Sequence, residues 1–408
     1  MSKPDKIKIG LLGLGTVGSG VYKLIEKQKE EFCKKAGADV EIVKILVHNM
    51  EKKREGVDPS LLTDNWRDII DNDEIRLVIE VMGGIEPART MILDALNAGK
   101  NVVSANKDLI AEHGKELLDA AEEHGVDFLF EAAVAGGIPI IRPLNSCLTA
   151  DEIEEITGIV NGTTNYMMTE MSEKGADFDE VLKDAQAKGY AEKDPTADIE
   201  GYDACRKIAI LTSLVCGQQV DFEDIHTEGI THISATDIKY AKAMGRVIKL
   251  LATSKKTDGG YVAMVAPFLL PKEHPLYNVN GVFNAIFVRG NVLGDAMFYG
   301  SGAGKLPTAS AVVADVVEMA KNLDKNIPVE WSSKKLELVD YRSAENRFFV
   351  RVSGTDKTFV EKVFGNVEYI DAQGVTGELG FVTEVMTEEA LENKKAAYGE
   401  VLNVIRVA

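Results

Sequence analysis

Residues 7–32 constrain the fold more tightly than any other part of the chain. Ile7–Leu12 is a short apolar run that reads as a buried strand, Gly13-Leu14-Gly15-Thr16-Val17-Gly18 follows without a gap, and Val21–Phe32 continues with helical spacing. A strand, a GxGxxG turn and a helix in immediate succession make a βαβ start. The glycines permit the tight turn, the approach of backbone to a pyrophosphate and the close packing of helix on strand. The first N–H groups of such a helix can meet a phosphate. Gly13, Gly15, Thr16, Val17 and Gly18 are therefore the expected cofactor-binding positions. Apolar runs at Val40–Val47, Leu77–Val81, Asn101–Ser104 and Phe128–Phe130 alternate with helical stretches, as a doubly wound parallel sheet requires. The plainer alternative is an ordinary tight turn between a strand and a helix.

Composition narrows the ligand class. With 408 residues, 45% of them hydrophobic, the chain can bury large cores and should divide into two or three domains. A net charge of -19 and a pI near 4.9 argue against a nucleic-acid or anionic-membrane partner, both of which demand a positive surface. Cys33, Cys147, Cys205 and Cys216 show no CxxC spacing, and the six histidines form no metal-ligand motif with them. Lys3, Asp5, Lys6 and Lys8 precede only a short hydrophobic stretch, so neither a signal peptide nor a membrane span is read there. The expectation is a soluble cytoplasmic protein with reduced thiols that acts on small molecules.

Cofactor choice should show after the second strand. NAD-binding folds usually place an acid there for the ribose hydroxyls, whereas this chain has His48 and Asn49 followed by Lys52, Lys53 and Arg54. Those cations favour the 2'-phosphate of NADP, with NAD as the alternative; a solvated face would read the same way. Ser104-Ala105-Asn106-Lys107 directly follows a strand, where ligands gather in open α/β sheets. Lys107 could reach such a site or simply start a helix in solvent. Glu131–Ile140, EAAVAGGIPI, reads as a close-packed crossover whose backbone carbonyls could hold a hard cation.

The segment Gly189–Lys207, GYAEKDPTADIEGYDACRK, leads an acid-rich loop into a helix carrying Asp203 and Lys207 four residues apart on one face. Beyond it, Ile208, Ala209, Ile210, Leu211, Leu214, Val215 and Cys216 leave no polar face, as in a helix buried on all sides. A lysine in a partly desolvated place beside a fixed carboxylate can donate or accept a proton. Elsewhere an Asp/Lys pair at this spacing is usually a surface ion pair of little worth.

The remaining layout is coarser. Ile153–Val160, Tyr261–Leu270 and Val282–Val288 have strand character, and Asn161-Gly162-Thr163-Thr164 offers a capped helix start, so residues 136–304 read as an α+β substrate domain. A sheet of this kind with one uncovered face commonly pairs with its twin. Gly302-Ala303-Gly304 precedes a helix near 305–323 that would complete the dinucleotide-binding domain of residues 1–135. Gly302 could face the nicotinamide or form a plain turn. After a polar linker around Pro328–Lys335, the runs Arg347–Val352, Asp356–Val363, Val367–Ile370, Glu378–Met386, Glu388–Val401 and Leu402–Val407 read as a separate βαββαβ unit over 336–408.

Six motifs in order now carry a resemblance. They are GLGTVG at Gly13–Gly18, SANK at Ser104–Lys107, EAAVAGGIP at Glu131–Pro139, NGTTNYM at Asn161–Met167, the Gly189–Lys207 segment, and GAGKLPTASAVVAD at Gly302–Asp315. Over about Lys6–Leu323 the chain resembles the homoserine dehydrogenases. The resemblance implies reversible, nicotinamide-dependent reduction of L-aspartate 4-semialdehyde to L-homoserine, on the way to threonine and methionine, in a homodimer or tetramer. It further implies Lys207 as acid/base, Asp203 and Glu192 on the substrate with Gly189 and Asp198 nearby, Lys107 lining the site, and Ser104 and Gly302 near the cofactor. Glu131, Val134, Gly136 and Ile138 align with a sodium-binding loop. The C-terminal unit resembles an ACT domain, an amino-acid-sensing fold, with its usual proline-glycine turn replaced by Ser353-Gly354-Thr355-Asp356-Lys357.

Two other functions compete. An aspartate-semialdehyde dehydrogenase requires a thiol nucleophile with a histidine base, and Cys147 in RPLNSCLTAD has no histidine close in sequence. A non-catalytic nucleotide sensor would need the glycine turn but not the Asp203/Lys207 pair.

Overall fold

The computed structural model describes residues 6–323 and 325–408; Lys3 and Asp5 of the charged opening lie outside the described residues. The chain forms two units. The first comprises residues 1–150, 213–221 and 300–336, and the second residues 151–212, 222–299 and 337–408.

In the first unit, six parallel strands are β1 (Lys6–Leu12), β2 (Asp39–Leu46), β3 (Leu62–Thr63), β4 (Ile75–Glu80), β5 (Asn101–Ser104) and β6 (Phe128–Leu129). Their order, β3-β2-β1-β4-β5-β6, reverses direction between β1 and β4, which is the switch point where doubly wound sheets bind ligands. Ile7, Ile9, Leu11, Leu77, Val78 and Ile79 have no exposed surface, because helices cover both faces of a parallel sheet. The first helix, Thr16–Lys27, packs on the returning helix Lys305–Lys321 through Val21, Ile25, Val312 and Val316. At Gly20 their backbones come so close that a Cβ would lie 2.7 Å from the Lys305 carbonyl oxygen.

Residues 328–335, expected as a polar linker, are docked instead. Trp331 is buried, its indole N–H donates to Gln219 Oε1 at 3.0 Å, and Ser332–Lys335 pairs with Gln218–Gln219.

The second unit contains one mixed sheet. Its main path runs through β7 (Ile153–Ile159), β8 (Val247–Thr257), β9 (Gly260–Leu270), β10 (Phe283–Gly290), β11 (Gly294–Ser301), β12 (Glu345–Ser353), β13 (Val367–Ile370), β14 (Glu378–Thr383) and β15 (Val401–Val407). The spatial order is β11-β10-β7-β8-β9-β15-β12-β14-β13. Two expectations change here. Ile248–Ser254 of β8 are buried without interruption, so both faces of the sheet are covered at this point. Leu276, Val279 and the 339–344 segment pack across one of them, and the premise of an open pairing face fails for the central strands.

The C-terminal residues do run βαββαβ, around Phe348, Val350, Phe364, Phe381 and Leu391. They do not stand apart. β15 lies parallel to β9, pairing Arg406 with Phe268 and Val407 with Leu269. The buried Arg406 guanidinium donates to both Glu388 oxygens, at 2.6 and 3.0 Å, and to Glu228 at 2.7 Å. Among the described residues no helix is long and apolar enough to cross a membrane.

Candidate active site

The glycine turn has the stereochemistry its sequence demands. Gly13 has φ of 99°, a region costly for any residue with a Cβ, and a Cβ on Gly18 would lie 2.2 Å from the Gly13 carbonyl oxygen. Gly15 differs, since nothing lies within 4 Å of the space a Cβ would take. The helix that starts at Thr16 has no side-chain cap and no acid in its first turn, so its leading N–H groups suit an anion, as a dinucleotide diphosphate requires. Val17 and Gly18 lie in that turn.

The carboxyl ends of β4 and β5 are tied together by an acid that the sequence reading passed over. Glu80 is wholly buried; its Oε1 accepts from Met82 N at 2.7 Å and Gly83 N at 3.2 Å, and its Oε2 accepts from the Ser104 hydroxyl at 2.6 Å. Burial pushes this carboxyl above its ordinary range, against those hydrogen bonds. Ser104 is thus a brace for the loop after β4, and its oxygen also accepts from Asn106 N at 3.1 Å. Asn106 caps the helix Lys107–Glu123 through Leu109 N and donates to the Gly84 carbonyl at 2.6 Å. Lys107, the first residue of that helix, is half-buried. A charged residue closing the apolar run Leu77–Ile79, Glu80 in LVIEVMGG, was the legible signal.

The loop after β2 separates its three cations. Arg54 donates from Nη1 to the Asn49 carbonyl at 2.9 Å and to the Lys52 carbonyl at 2.7 Å, so its guanidinium buckles the loop onto itself. Lys52 and Lys53 are exposed.

Residues 131–142 are held by a buried charge network. The Glu131 carboxylate accepts from Ile140 N (2.6 Å), Ile141 N (2.9 Å) and Arg142 N (2.6 Å). The Glu131 carboxylate thus fixes the backbone of residues 140–142. Asp315, on the returning helix, pairs with the Arg142 guanidinium and accepts from Glu131 N at 2.8 Å. Burial, with the Glu131 charge, pushes the Asp315 carboxyl up to about 7 against the pull of Arg142. Gly136 has φ of 53°, and a Cβ there would meet the Gly302 carbonyl oxygen at 2.4 Å. The two motifs that carry Gly136 and Gly302 are thus in backbone contact. Among the described residues no cluster of three His, Cys, Asp or Glu side chains could hold a metal ion.

The second unit brings Asp203 and Lys207 together. The helix Tyr202–Cys216 starts after Gly201, and Ala204, Cys205 and the run Ile208–Leu211 are buried, which desolvates the first turns. Lys207 is 9% exposed and Asp203 6%. Lys207 Nζ donates to Asp203 Oδ2 at 2.6 Å and to the Val160 carbonyl at 2.7 Å. An ammonium has three donors, so one N–H is left without a protein partner among the described residues. Asp203 sits in the first helical turn, where the helix dipole favours a negative charge.

Asn161 connects this pair to Asp198. Its Nδ2 donates to Asp198 Oδ1 at 2.7 Å and to Asp203 Oδ2 at 2.9 Å, while its Oδ1 accepts from Thr164 N at 2.9 Å and caps the helix Gly162–Lys174. Burial raises the Asp198 carboxyl, the Asn161 bond opposes that, and the Asp203 charge adds to it. In the sequence Asn161 is a helix cap and the first residue of the NGTTNYM motif; its bonds to two acids are visible only here. Gly189 has φ of 75° and lies on the surface with Glu192, whose carbonyl accepts from Gln186 Nε2 at 3.1 Å. Within this unit Asp198, Asp203 and Lys207 come together, and Glu192 makes no side-chain bond to them.

Comparison with known proteins settles the family. Residues 13–131 match the profile described as homoserine dehydrogenase, NAD binding domain, and residues 139–317 the profile described as homoserine dehydrogenase. A homoserine dehydrogenase of Bacillus subtilis is 47% identical over 318 residues, 78% of this chain and 73% of that one. The chain belongs to the homoserine dehydrogenase family. The crystal structure of a homoserine dehydrogenase from Thiobacillus denitrificans superposes with a TM-score of 0.91 at 37% identity, covering 99% of this chain and 98% of the other. A hyperthermophilic archaeal homoserine dehydrogenase in complex with NADPH gives a TM-score of 0.63 at 28% identity, covering 77% and 97%. As a homoserine dehydrogenase, the protein transfers hydride reversibly between L-homoserine and L-aspartate 4-semialdehyde, using the NAD(P)-binding unit described above. That step belongs to the biosynthesis of threonine and methionine.

Proposed function

We propose that Lys207 is the acid–base of this reaction and that the second unit holds the substrate through Asp203, Asp198, Glu192 and the backbone near Gly189. The observation that carries this reading is the Lys207 ammonium, desolvated, aimed by Asp203 Oδ2 and the Val160 carbonyl, and keeping one N–H for a ligand. The bound nicotinamide supplies or accepts the hydride. During reduction, negative charge grows on the aldehyde oxygen; Lys207 stabilises that charge and donates its proton, giving the hydroxyl of homoserine. In the oxidative direction neutral Lys207 takes the hydroxyl proton back. Asp203 keeps the amine oriented and stabilises its ammonium form.

Glu192, exposed on its loop, is the partner we assign to the substrate ammonium, and Lys107 is kept as a further residue of the site on the strength of the SANK motif. NADP is the preferred cofactor in this reading, through Lys52 and Lys53, with NAD accepted as well. Gly13, Gly15, Thr16, Val17 and Gly18 receive the diphosphate, and Ser104 and Gly302 shape its surroundings. The uncapped helix start at Thr16 and the open space at Gly15 support that placement. Sodium is the ion we assign to the carbonyls of Glu131, Val134, Gly136 and Ile138, an all-oxygen set suited to a hard cation. The protein assembles as a homodimer or tetramer; support comes from Phe283, Met297 and Tyr299, exposed on β10 and the edge strand β11. Residues 336–408 we read as a divergent ACT-like domain. Gly354 (φ of 89°) and Asp356, which caps the helix Lys357–Phe364, occupy the turn where an effector would sit, so threonine should inhibit weakly or not at all.

The test of the substrate assignment is Glu192→Ala, with homoserine oxidation followed by absorbance of the reduced cofactor. The Michaelis constant for homoserine should rise about tenfold or more while that for the cofactor holds, as expected when one charge-assisted bond to the substrate is lost. An unchanged constant for homoserine removes Glu192 from the site.

A further inference from the structure

We propose that Asn161 is a positioning residue for proton transfer: its side-chain amide holds the Asp198 and Asp203 carboxylates apart and so fixes the direction of Lys207. The inference rests on the reading of Lys207 as the acid–base and gives a role in proton transfer to a residue that the sequence marks only as a helix cap opening the NGTTNYM motif.

Four bonds determine the role. Asn161 Oδ1 accepts from Thr164 N at 2.9 Å and from the Thr164 hydroxyl at 3.0 Å, which leaves one orientation for the amide. Turned over, it would set its carbonyl oxygen against two carboxylates and its NH2 against a backbone N–H. In the orientation present, the two protons of one nitrogen go to two different acids, Asp198 Oδ1 at 2.7 Å and Asp203 Oδ2 at 2.9 Å. Asn161 is 6% exposed and Thr164 1%, so water does not readily replace these bonds.

The location adds leverage. Val160 and Asn161 are consecutive, at the point where β7 turns into the helix Gly162–Lys174. The Val160 carbonyl takes one Lys207 donor, and the Asn161 amide anchors the carboxylate oxygen that takes another. One rigid corner therefore locates both the ammonium and its counter-ion. A Cβ on Gly162, the next residue, would lie 2.9 Å from the Val282 carbonyl oxygen, so the chain just before strand β10 abuts the corner closely. Without the amide, Asp203 would lose the donor that aims it, and Asp198 would press on it with a like charge. The pair would shift, and misplacement of the reacting group by about 1 Å costs on the order of 100-fold in rate.

Asn161→Ser separates positioning from capping. Serine caps a helix start as well as asparagine does, but its single hydroxyl cannot bridge two carboxylates. The expected result is a fall in kcat for homoserine oxidation of about 30- to 100-fold, with the Michaelis constant for the cofactor within about twofold. The melting temperature should stay within about 4 °C of the parent. Asn161→Asp keeps shape and cap, adds a third carboxylate, and should lose at least as much turnover. Turnover within about threefold of the parent for either variant overturns the proposal, as does a loss matched by equal weakening of cofactor binding. Lys207→Met run in parallel separates the two levels. If it keeps full turnover, the acid–base reading falls and takes this inference with it; if it collapses while Asn161→Ser does not, only this inference falls.

Discussion

Replacing Lys207 by Met keeps most of the side chain's length and removes its charge, so it asks two questions of one site. For turnover, the ammonium is the group we place on the reacting oxygen, and loss of a positioned acid–base typically costs about 100- to 10,000-fold. For stability, the pair is short, at 2.6 Å, and its side chains are only 11% and 8% exposed, so the small values of surface ion pairs do not apply. Removing the Lys207 partner from the buried Asp203 carboxylate should cost about 3–5 kcal/mol. Asn161 still donates to Asp203 in the variant and softens the loss. Urea or thermal melts of parent and variant measure this, alongside initial rates of homoserine oxidation. A stability deficit below about 1 kcal/mol, or a variant that retains more than about a tenth of parental turnover, refutes the reasoning.

Replacing Lys52 and Lys53 together by Ala should weaken NADP use by roughly 1–3 kcal/mol and spare NAD, whereas Arg54→Ala, which unlatches the Asn49 and Lys52 carbonyls, should weaken both cofactors alike; equal losses in the lysine variant would show that the loop has only a structural part. Asp127→Asn should stabilise the protein. Burial pushes the Asp127 carboxyl up to about 6 against a 2.7 Å bond from Ile327 N. With its folded value above its unfolded one, the acid destabilises the native state fully above about pH 6 and not at all below about pH 4, so the gain should reach at most about 3 kcal/mol at pH 8 and vanish in acid. A gain independent of pH in thermal melts would contradict this account. A chain ending at Asn326 would lose the docked Trp331 and the strand that covers β9, so it should melt at lower temperature and aggregate, and a truncated protein with parental melting temperature and turnover would show that the C-terminal residues fold independently after all.

Local pattern carried the first unit. An apolar run and three glycines at set spacing act over a few residues, and β1 and the turn form where that pattern puts them, whereas the helical stretch read over Val21–Phe32 is two helices, Thr16–Lys27 and Lys29–Ala36, parted at Gln28. The Asp203/Lys207 pair was legible for the same reason, since four residues along a helix fix a shared face, and the apolar continuation announced burial. β8 was missed because Val247–Thr257 alternates poorly and carries Lys249 and Lys255; Lys249 is nonetheless buried, donating to Asn165 Oδ1, Asn280 Oδ1 and the Val279 carbonyl.

What only the tertiary structure decided are the partners of each polar group. That Asn161 spans two acids contributed from 37 and 42 positions away, that Glu80 grips Ser104, and that Arg54 folds back on its own loop cannot be read from residue spacing. The C-terminal βαββαβ pattern was visible in the sequence, but its attachment was not. A strand's edge carries the same N–H and C=O groups whatever its sequence, so the pairing of β15 with β9 depends on which edge lies within reach once the chain has folded.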